Sequence, residues 1–317
     1  MEKEYPLVSA VINTFNRCKL VGRAIQSVIN QTYQNLEIIV IDANSSDDTE
    51  QVVRSFSDER VVYYRSSTSE ISTCVNTGFR MAKGKYLALL DDDDEWLPQK
   101  IEKQVQLMET MDESYGWIGC GAIFWNDDKN KQIQTYMPHS RGDVFLKKLS
   151  QINPGTCGCS VSLVRKSAFE RLGGFVETVR FSTDYLFLLK LSKYYKFDYV
   201  DEILYIYHNY HIYQNERGSV TKYTEKFICD KIEVQEYILK EYATDFNNYP
   251  QYRYNYYNTL ARMHSILKNA KASFRYLFLT MQTNPASVFG NIRLFLSIVI
   301  HLYLKKLINV ESKINST

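Results

Sequence analysis

Hydrophobic positions in the first third of the chain switch between short continuous runs and a helical spacing. Residues 7–12 and 36–42 are apolar runs rich in β-branched side chains, which predict two buried strands. Between them, apolar residues recur every three or four positions from 20 to 29, the spacing of one helix face. A strand, helix and strand of this combined length predict a parallel α/β architecture.

The same alternation continues along the next hundred residues. Apolar runs at 61–64 and 86–90 predict two more strands, separated by a helix. Runs at 117–125 and 160–164 predict further strands, and Gly173-Gly174-Phe175 predicts a turn. The strand at 86–90 ends in acids, at the edge where open α/β sheets place their ligands.

The pattern changes past about residue 220, where long aromatic-rich helical periodicity replaces β-branched strands. We therefore expect two regions, an α/β domain over 1–219 and a helical region over 220–317. Within the second region, residues 256–285 resemble a single tetratricopeptide-like helical hairpin. Residues 288–310 predict an amphipathic helix with basic residues, which either lies in a membrane interface or packs on the hairpin.

Composition excludes several classes of protein. The chain has 317 residues, of which 45% are hydrophobic and 23% charged, values typical of folded soluble proteins. Its 38 basic and 36 acidic residues are interspersed, so we expect no nucleic-acid partner. Its six cysteines form no CxxC pair, which favours free thiols over a structural zinc site.

The sequence shows neither a secretory signal peptide nor a membrane-spanning segment. The N-terminal residues lack the apolar segment and cleavage site of a secretory signal peptide, so we expect a cytoplasmic protein, or one peripheral on the inner face of the plasma membrane. The longest apolar stretch covers 11 residues, 294–304, whereas a membrane-spanning helix needs about 20. We therefore expect no span.

Four consecutive aspartates, at positions 91–94, carry the strongest chemical signal. Like charges fixed at a strand end repel and raise one another's pKa, so a compensating cation is expected. A divalent cation held by one or two carboxylates and by substrate phosphates is the usual solution. The alternative is a solvated acidic turn, but Trp96-Leu97-Pro98 predicts a buried helix entry that fixes the turn in place.

Four stretches of the chain together resemble the family-2 glycosyltransferases. They are residues 8–17, 24–33, 39–49 and 76–98, which match the family in order and spacing. The resemblance implies an α/β fold of the GT-A type, with a Rossmann-like domain that binds a nucleotide sugar on a mainly parallel central sheet. It also implies a hexosyltransferase-type enzyme that inverts the anomeric centre.

The resemblance also implies which residues bind the donor and its metal ion. Asp93, in the family's DxD motif, is expected to bind Mn²⁺ or Mg²⁺ directly. Asp91 is expected either to share the metal or, like Asp92, to face the donor ribose or sugar. His208 is a further candidate metal or phosphate ligand, with a purely structural role as its alternative. The expected donor-binding residues are Thr14, Phe15, Asn16, Arg17, Asp42, Asn44, Asn76, Asp91 and Asp92.

Asp184 is the expected general base. It follows the Gly-Gly-Phe turn at the place where the family has an aspartate that accepts the proton of the acceptor hydroxyl. Its alternative is an acid that stabilises the start of a helix. Three positions depart from the family pattern: Ala43 and Thr183 replace acids, and Val75 replaces an arginine.

These features lead to one main hypothesis and two alternatives. The main hypothesis is transfer of a sugar, most commonly from UDP in this family, to a lipid-linked or saccharide acceptor during synthesis of a surface polysaccharide such as capsule or O-antigen. The three departures keep open a catalytically silent module that binds a sugar nucleotide or a protein. A nucleotidyltransferase would need a glycine-rich loop after the first strand, and residues 13–17 contain no glycine. Residues 217–221 resemble a lid over the donor; no residue indicates an oligomeric state.

Overall fold

The structure is a computed structural model that describes residues 5–151, 155–208 and 224–284. The described residues form two compact units. The first contains residues 5–148 and 155–208, and the second contains 149–151 and 224–284.

The first half of the first unit is a parallel sheet flanked by helices. Thr14 of the first strand pairs with Asp42 of the second, and Asn13 pairs with Asp91 of the fourth. This register places the carboxyl ends of three strands at one edge, where ligand sites form in such sheets. The elements are β1 (Val8–Thr14), α1 (Val21–Ile29), β2 (Leu36–Asp42), α2 (Thr49–Arg54), β3 (Val61–Arg65), α3 (Ile71–Met81) and β4 (Tyr86–Asp91).

The second half of this unit extends the sheet with strands in both directions. Its elements are β5 (Glu95–Trp96), α4 (Lys100–Met108), β6 (Tyr115–Asn126), β7 (Lys131–Tyr136), α5 (Phe145–Leu149), β8 (Leu163–Arg165), α6 (Lys166–Leu172), α7 (Thr183–Tyr194) and β9 (Lys196–His208). The strand order is β3-β2-β1-β4-β8-β6-β9-β5, and β7 pairs with β6. β6 and β9 run parallel, whereas β8 is antiparallel to both of its neighbours.

The core lies on both faces of the sheet. Ala10 and Ile12 of β1 belong to one buried cluster, while Val11 between them belongs to the other. A strand covered on both faces needs a continuous apolar run, which explains why β1 and β2 are legible in the sequence. The predicted α/β class is therefore confirmed.

Two parts of the predicted layout were wrong or missing. The strand expected at 160–164 begins only at Leu163, because the Ser162 N–H closes a turn on the Cys159 carbonyl at 2.9 Å. Ser160 is thereby released to face the acidic residues described below. The exposed strand β7 and the long strand β9 have no clear periodicity in the sequence and were not predicted.

The second unit is helical, as expected for the part of it that the structure describes. Leu260 and Ala261 are fully buried, and the Ser273 hydroxyl donates to the Ala261 carbonyl at 2.6 Å, which joins two consecutive helices. Residues 288–310, the predicted amphipathic helix, lie outside the described residues. The helices are α8 (Glu225–Glu241), α9 (Ala243–Asn248), α10 (Arg253–Ile266) and α11 (Ala270–Thr283). Within the described residues, every helix is too short or too polar to cross a bilayer.

Candidate active site

The loops after β1 and β2 interlock at the carboxyl edge of the sheet. The Asn16 N–H donates to Ser45 Oγ at 2.7 Å, and Asn16 Oδ1 accepts the Ser46 N–H at 2.7 Å. Asn16 and Asn44 have left-handed φ angles of 50° and 64°, which asparagine tolerates better than most residues. These contacts give the two loops one fixed conformation.

Asp42 is the centre of that arrangement and is fully buried. Its Oδ1 accepts the Ser45 N–H at 2.8 Å, and its Oδ2 accepts the Tyr63 hydroxyl at 2.7 Å. Both carboxylate oxygens are therefore used within the protein. Asp42, a predicted donor contact, holds the loop that carries Asn44 and Ser45.

The same loop carries exposed and charged groups toward β4. The Phe15 ring is 41% exposed, and the Thr14 carbonyl accepts the Ala43 N–H at 2.8 Å. Arg17 Nη1 lies 3.2 Å from Asp93 Oδ2 and 3.9 Å from Asp92 Oδ1. The predicted donor loop and the predicted metal motif thus meet in space.

Residues 91–94, which we call the acidic corner, carry more negative charge than this arginine balances. Burial, and secondly the neighbouring Asp93, raise the pKa of Asp92 to about 6. The same two causes raise the pKa of Asp91 to about 7, although its carboxylate opens on a cavity and keeps exposed surface. The corner is therefore poised to gain a positive partner.

Asp94 differs from the other acids of the corner because it points into the protein. It is 1% exposed, accepts the His208 N–H at 2.9 Å and accepts the Tyr205 hydroxyl. Burial raises the pKa of Asp94 well above its usual value, and Asp93 adds to the shift. Asp94 therefore fixes the end of β9 to the corner.

The expectation that His208 binds the metal is not supported by its contacts. Its Nδ1 lies 2.7 Å from Asp127 Oδ1, and its Nε2 lies 3.0 Å from Glu95 Oε2. The hydrogen bond with His208 lowers the pKa of Glu95. Each ring nitrogen faces a carboxylate, which leaves neither directed at a cation. The structural role is the one that this geometry supports.

Asn76, a predicted donor contact, makes several hydrogen bonds within the protein. Its Nδ2 donates to the Phe175 carbonyl at 3.0 Å and to Glu177 Oε1 at 2.6 Å, and its Oδ1 accepts the Phe175 N–H at 2.8 Å. Its exposed surface is 1%. It holds the turn formed by Gly173 and Gly174, whose φ angles of 75° and 78° favour glycine.

Asp184 lies in the first turn of α7, just beyond that turn. The preceding Ser182 has a left-handed φ of 52°, a conformation that costs energy and often occurs at functional sites. Asp184 is exposed, whereas Leu186 and Phe187, which follow it in α7, are buried. The helix that carries the Asp184 carboxylate is therefore anchored in the core.

Asp91 and Asp184 line the same cavity, of about 450 Å³. Ser160 Oγ donates to Asp91 Oδ2 at 2.6 Å on its wall. The rings of Phe124 and Tyr207, 5.1 Å apart, form an aromatic side. These wall residues were not predictable from local sequence patterns, because each comes from a segment distant from the acids. The lining is completed by Cys120, Ala122, Tyr136, Thr156, Cys157, Gly158, Cys159, Val161 and Tyr205.

The carboxylates at this site fit a metal ion that is bound partly by the protein and partly by a phosphate ligand. Among residues 5–151, 155–208 and 224–284, no group of three His, Cys, Asp or Glu side chains is arranged to hold a metal alone. Mg²⁺ and similar hard cations commonly take one or two carboxylates and complete their shell with water and phosphate oxygens. Asp91 supplies such a carboxylate on the cavity wall, and Asp93 supplies a second one two residues further along the acidic corner. They fit a cation that arrives with a diphosphate.

Comparison with known proteins defines the class of this arrangement. The family model of glycosyl transferase family 2 matches residues 9–173, just over half of the chain. The chain therefore belongs to glycosyl transferase family 2, as the sequence motifs indicated.

Individual relatives share at most about a third of their residues with this chain in the examples that follow. An uncharacterized glycosyltransferase of Rickettsia prowazekii is 30% identical over 183 residues, and the match covers 57% of each chain, so this chain spans just over half of that relative. A GalNAc(5)-diNAcBac-PP-undecaprenol beta-1,3-glucosyltransferase of Campylobacter jejuni is 27% identical over 96% of this chain and 98% of its own. Residues 1–349 of S. aureus TarS, solved with UDP-GlcNAc, share the fold, with a TM-score of 0.60 at 13% identity over 90% of this chain and 91% of that one.

Proposed function

We propose that the protein is an inverting, metal-dependent glycosyltransferase that moves a sugar from a nucleotide-diphosphate sugar to an acceptor hydroxyl. The observation that carries the proposal is the shared cavity of Asp91 and Asp184. One carboxylate belongs to the acidic corner and the other to the start of α7. A sugar held between them has its diphosphate near one acid and its acceptor near the other.

The reaction needs one base and one stabilised leaving group. Asp184 accepts the proton of the acceptor hydroxyl while that oxygen bonds to the anomeric carbon, and the bond from this carbon to the diphosphate oxygen breaks. Attack from the face opposite the leaving group inverts the centre. A cation bound at Asp91 and Asp93 would neutralise the departing diphosphate. Arg17, 3.2 Å from Asp93, adds a fixed positive charge at the same place.

We propose UDP as the nucleotide of the donor. The interlocked loops after β1 and β2 present the exposed Phe15 ring, which suits stacking on a base. The fold shared with a protein solved with UDP-GlcNAc supports a nucleotide-sugar donor in general. Asn16, Arg17 and Asn44 remain predicted donor contacts, with Asp42 acting through the loop that it holds.

We propose a lipid-linked acceptor in the synthesis of a cell-surface polysaccharide such as capsule or O-antigen. The support is the Campylobacter jejuni relative, which matches this chain almost from end to end and is named for an undecaprenol-linked substrate. Such an acceptor places the enzyme at the cytoplasmic face of the membrane. Residues 288–310, predicted as an amphipathic helix, are the proposed contact with that surface.

The test is release of UDP from UDP-sugars with and without Mn²⁺ or Mg²⁺. We expect metal-dependent release with at least one common UDP-sugar, and loss of about a thousandfold or more of the transfer rate in Asp184→Asn, with donor binding retained. Asp128→Asn, an exposed aspartate in the β6–β7 turn, is the matched control and should keep the wild-type rate. Binding of UDP-sugars without turnover under any metal would favour the catalytically silent module.

A further inference from the structure

The charges of the chain are distributed unevenly. Residues 246–310 contain eight of the 38 basic residues and none of the 36 acidic residues. The near-neutral total of +2 therefore conceals a strongly basic segment and an acidic remainder. A local field of this kind selects an anionic partner, whatever the total charge.

Within this segment, α11 exposes a mixed basic and aromatic face. Lys271, Phe274, Arg275 and Phe278 are spaced as one helix face and are all exposed; we call them the α11 stripe. Phe278 is 61% exposed and Phe274 is 36% exposed. The opposite face, with Ser273, Tyr276, Leu277 and Thr280, is buried against the second unit's own core.

The end of α10 continues the same chemistry. Ile266, the last residue of α10, is 56% exposed, and Arg262 and Lys268 beside it in the chain are exposed as well. Only three residues separate α10 from α11. Large apolar side chains on a helix that already has a buried face need an explanation beyond folding of this unit.

We propose that the α11 stripe is a docking surface for an anionic lipid bilayer. Lysine and arginine bind the anionic headgroups, while the phenylalanine rings enter the boundary between headgroups and acyl chains. A nucleic acid would match the charge, but it offers no apolar layer for the aliphatic Ile266. The surface belongs to residues separate from those of the proposed reaction, so its test does not depend on catalysis.

The experiment is sedimentation of the full chain with vesicles. We expect binding to vesicles of equal phosphatidylglycerol and phosphatidylcholine, and little binding to phosphatidylcholine alone or at high salt. Lys271→Gln should lower the partition coefficient about fivefold. Phe278→Ser should lower it on the order of tenfold. Ile71→Ser on α3, where the side chain is 59% exposed, is the matched control and should bind as the wild type does.

Three results would overturn the proposal. The first is wild-type partition by both stripe variants, which would assign membrane contact to another part of the chain. The second is a dimer in light scattering that Phe278→Ser converts to a monomer without any change in vesicle binding. The third is loss of affinity for a short RNA in these variants while vesicle binding persists. Unchanged melting curves and UDP-sugar turnover would show that the variants are folded.

Discussion

Strands β2 and β4 lie on either side of β1 and each ends in an aspartate, but the two carboxylates differ in burial and in hydrogen bonding. Asp42, after β2, is fully buried and has one internal donor on each carboxylate oxygen. Asp91, after β4, has one donor, Ser160, and opens on a cavity. Both positions are the carboxyl ends of parallel strands that flank β1, so topology alone does not decide which acid is functional.

The two aspartates differ in how fully the protein itself supplies hydrogen-bond donors to their carboxylates. The internal donors of Asp42 make it part of the structure, whereas the pKa of Asp91 is raised to about 7 by burial and by Asp93. A site whose ionised acids are only partly stabilised by the protein gains stability when a positive ligand binds. The acidic corner is such a site, and the Asp42 loop is the fixed support beside it.

The largest expected effect separates the two acids by activity. Asp91→Asn should lower the transfer rate by about a hundredfold to ten-thousandfold while leaving the melting temperature unchanged or higher, because the residue serves the ligand and not the fold. Steady-state kinetics with saturating metal, together with thermal denaturation, measures both. A variant with normal turnover would remove Asp91 from the site.

The next prediction concerns Asp42, whose replacement should lower stability more than it lowers activity. Asp42→Ala should lower the free energy of unfolding by about 2–4 kcal/mol, because the buried Ser45 N–H and Tyr63 hydroxyl lose their acceptors. Tyr63→Phe, which removes a single hydrogen bond, is the graded control and should cost about 1 kcal/mol. Denaturant titration measures both. A stable Asp42→Ala protein with weakened donor binding would show that Asp42 contacts the donor directly.

A smaller effect tests the raised pKa of Asp92. Its value of about 6 lies above the usual 3.8, so the folded state binds the proton more tightly than the unfolded state. The contribution of Asp92 to the free energy of unfolding is therefore fully present below about pH 4 and is lost as the pH rises through about 6. Asp92→Asn should therefore stabilise the metal-free protein by about 3 kcal/mol near pH 8 and by almost nothing near pH 4. A pH-independent difference would contradict the assignment.

The smallest effect concerns the base of the donor. Phe15→Ala should weaken UDP binding by about threefold to tenfold, since stacking on an exposed ring contributes about 1 kcal/mol. Phe15→Tyr retains the ring and should bind as the wild type does. Fluorescence or calorimetric titration with UDP measures the change, and equal affinity in Phe15→Ala would place the base elsewhere.

Local patterns predicted strands β1 to β4, β6 and the acidic corner, because buried strands need apolar runs and the four aspartates are adjacent. Contacts between distant segments were not predictable in the same way. His208 reaches Asp94 across 114 positions because β9 pairs with β5, and its ring is thereby enclosed by carboxylates. Asn76 reaches Phe175 across 99 positions and so supports the turn before Asp184, a contact that no local pattern indicated.

The central claim is that the acidic corner binds a cation together with a diphosphate, and calorimetry of UDP binding tests it most directly. At about pH 6.5, we expect UDP to bind at least about tenfold more tightly with Mn²⁺ than with a chelator, with release of protons as Asp91 and Asp92 ionise. Titrations in two buffers of different ionisation enthalpy measure that release. Equal affinity with Mn²⁺ and with the chelator, and no proton release, would contradict the account.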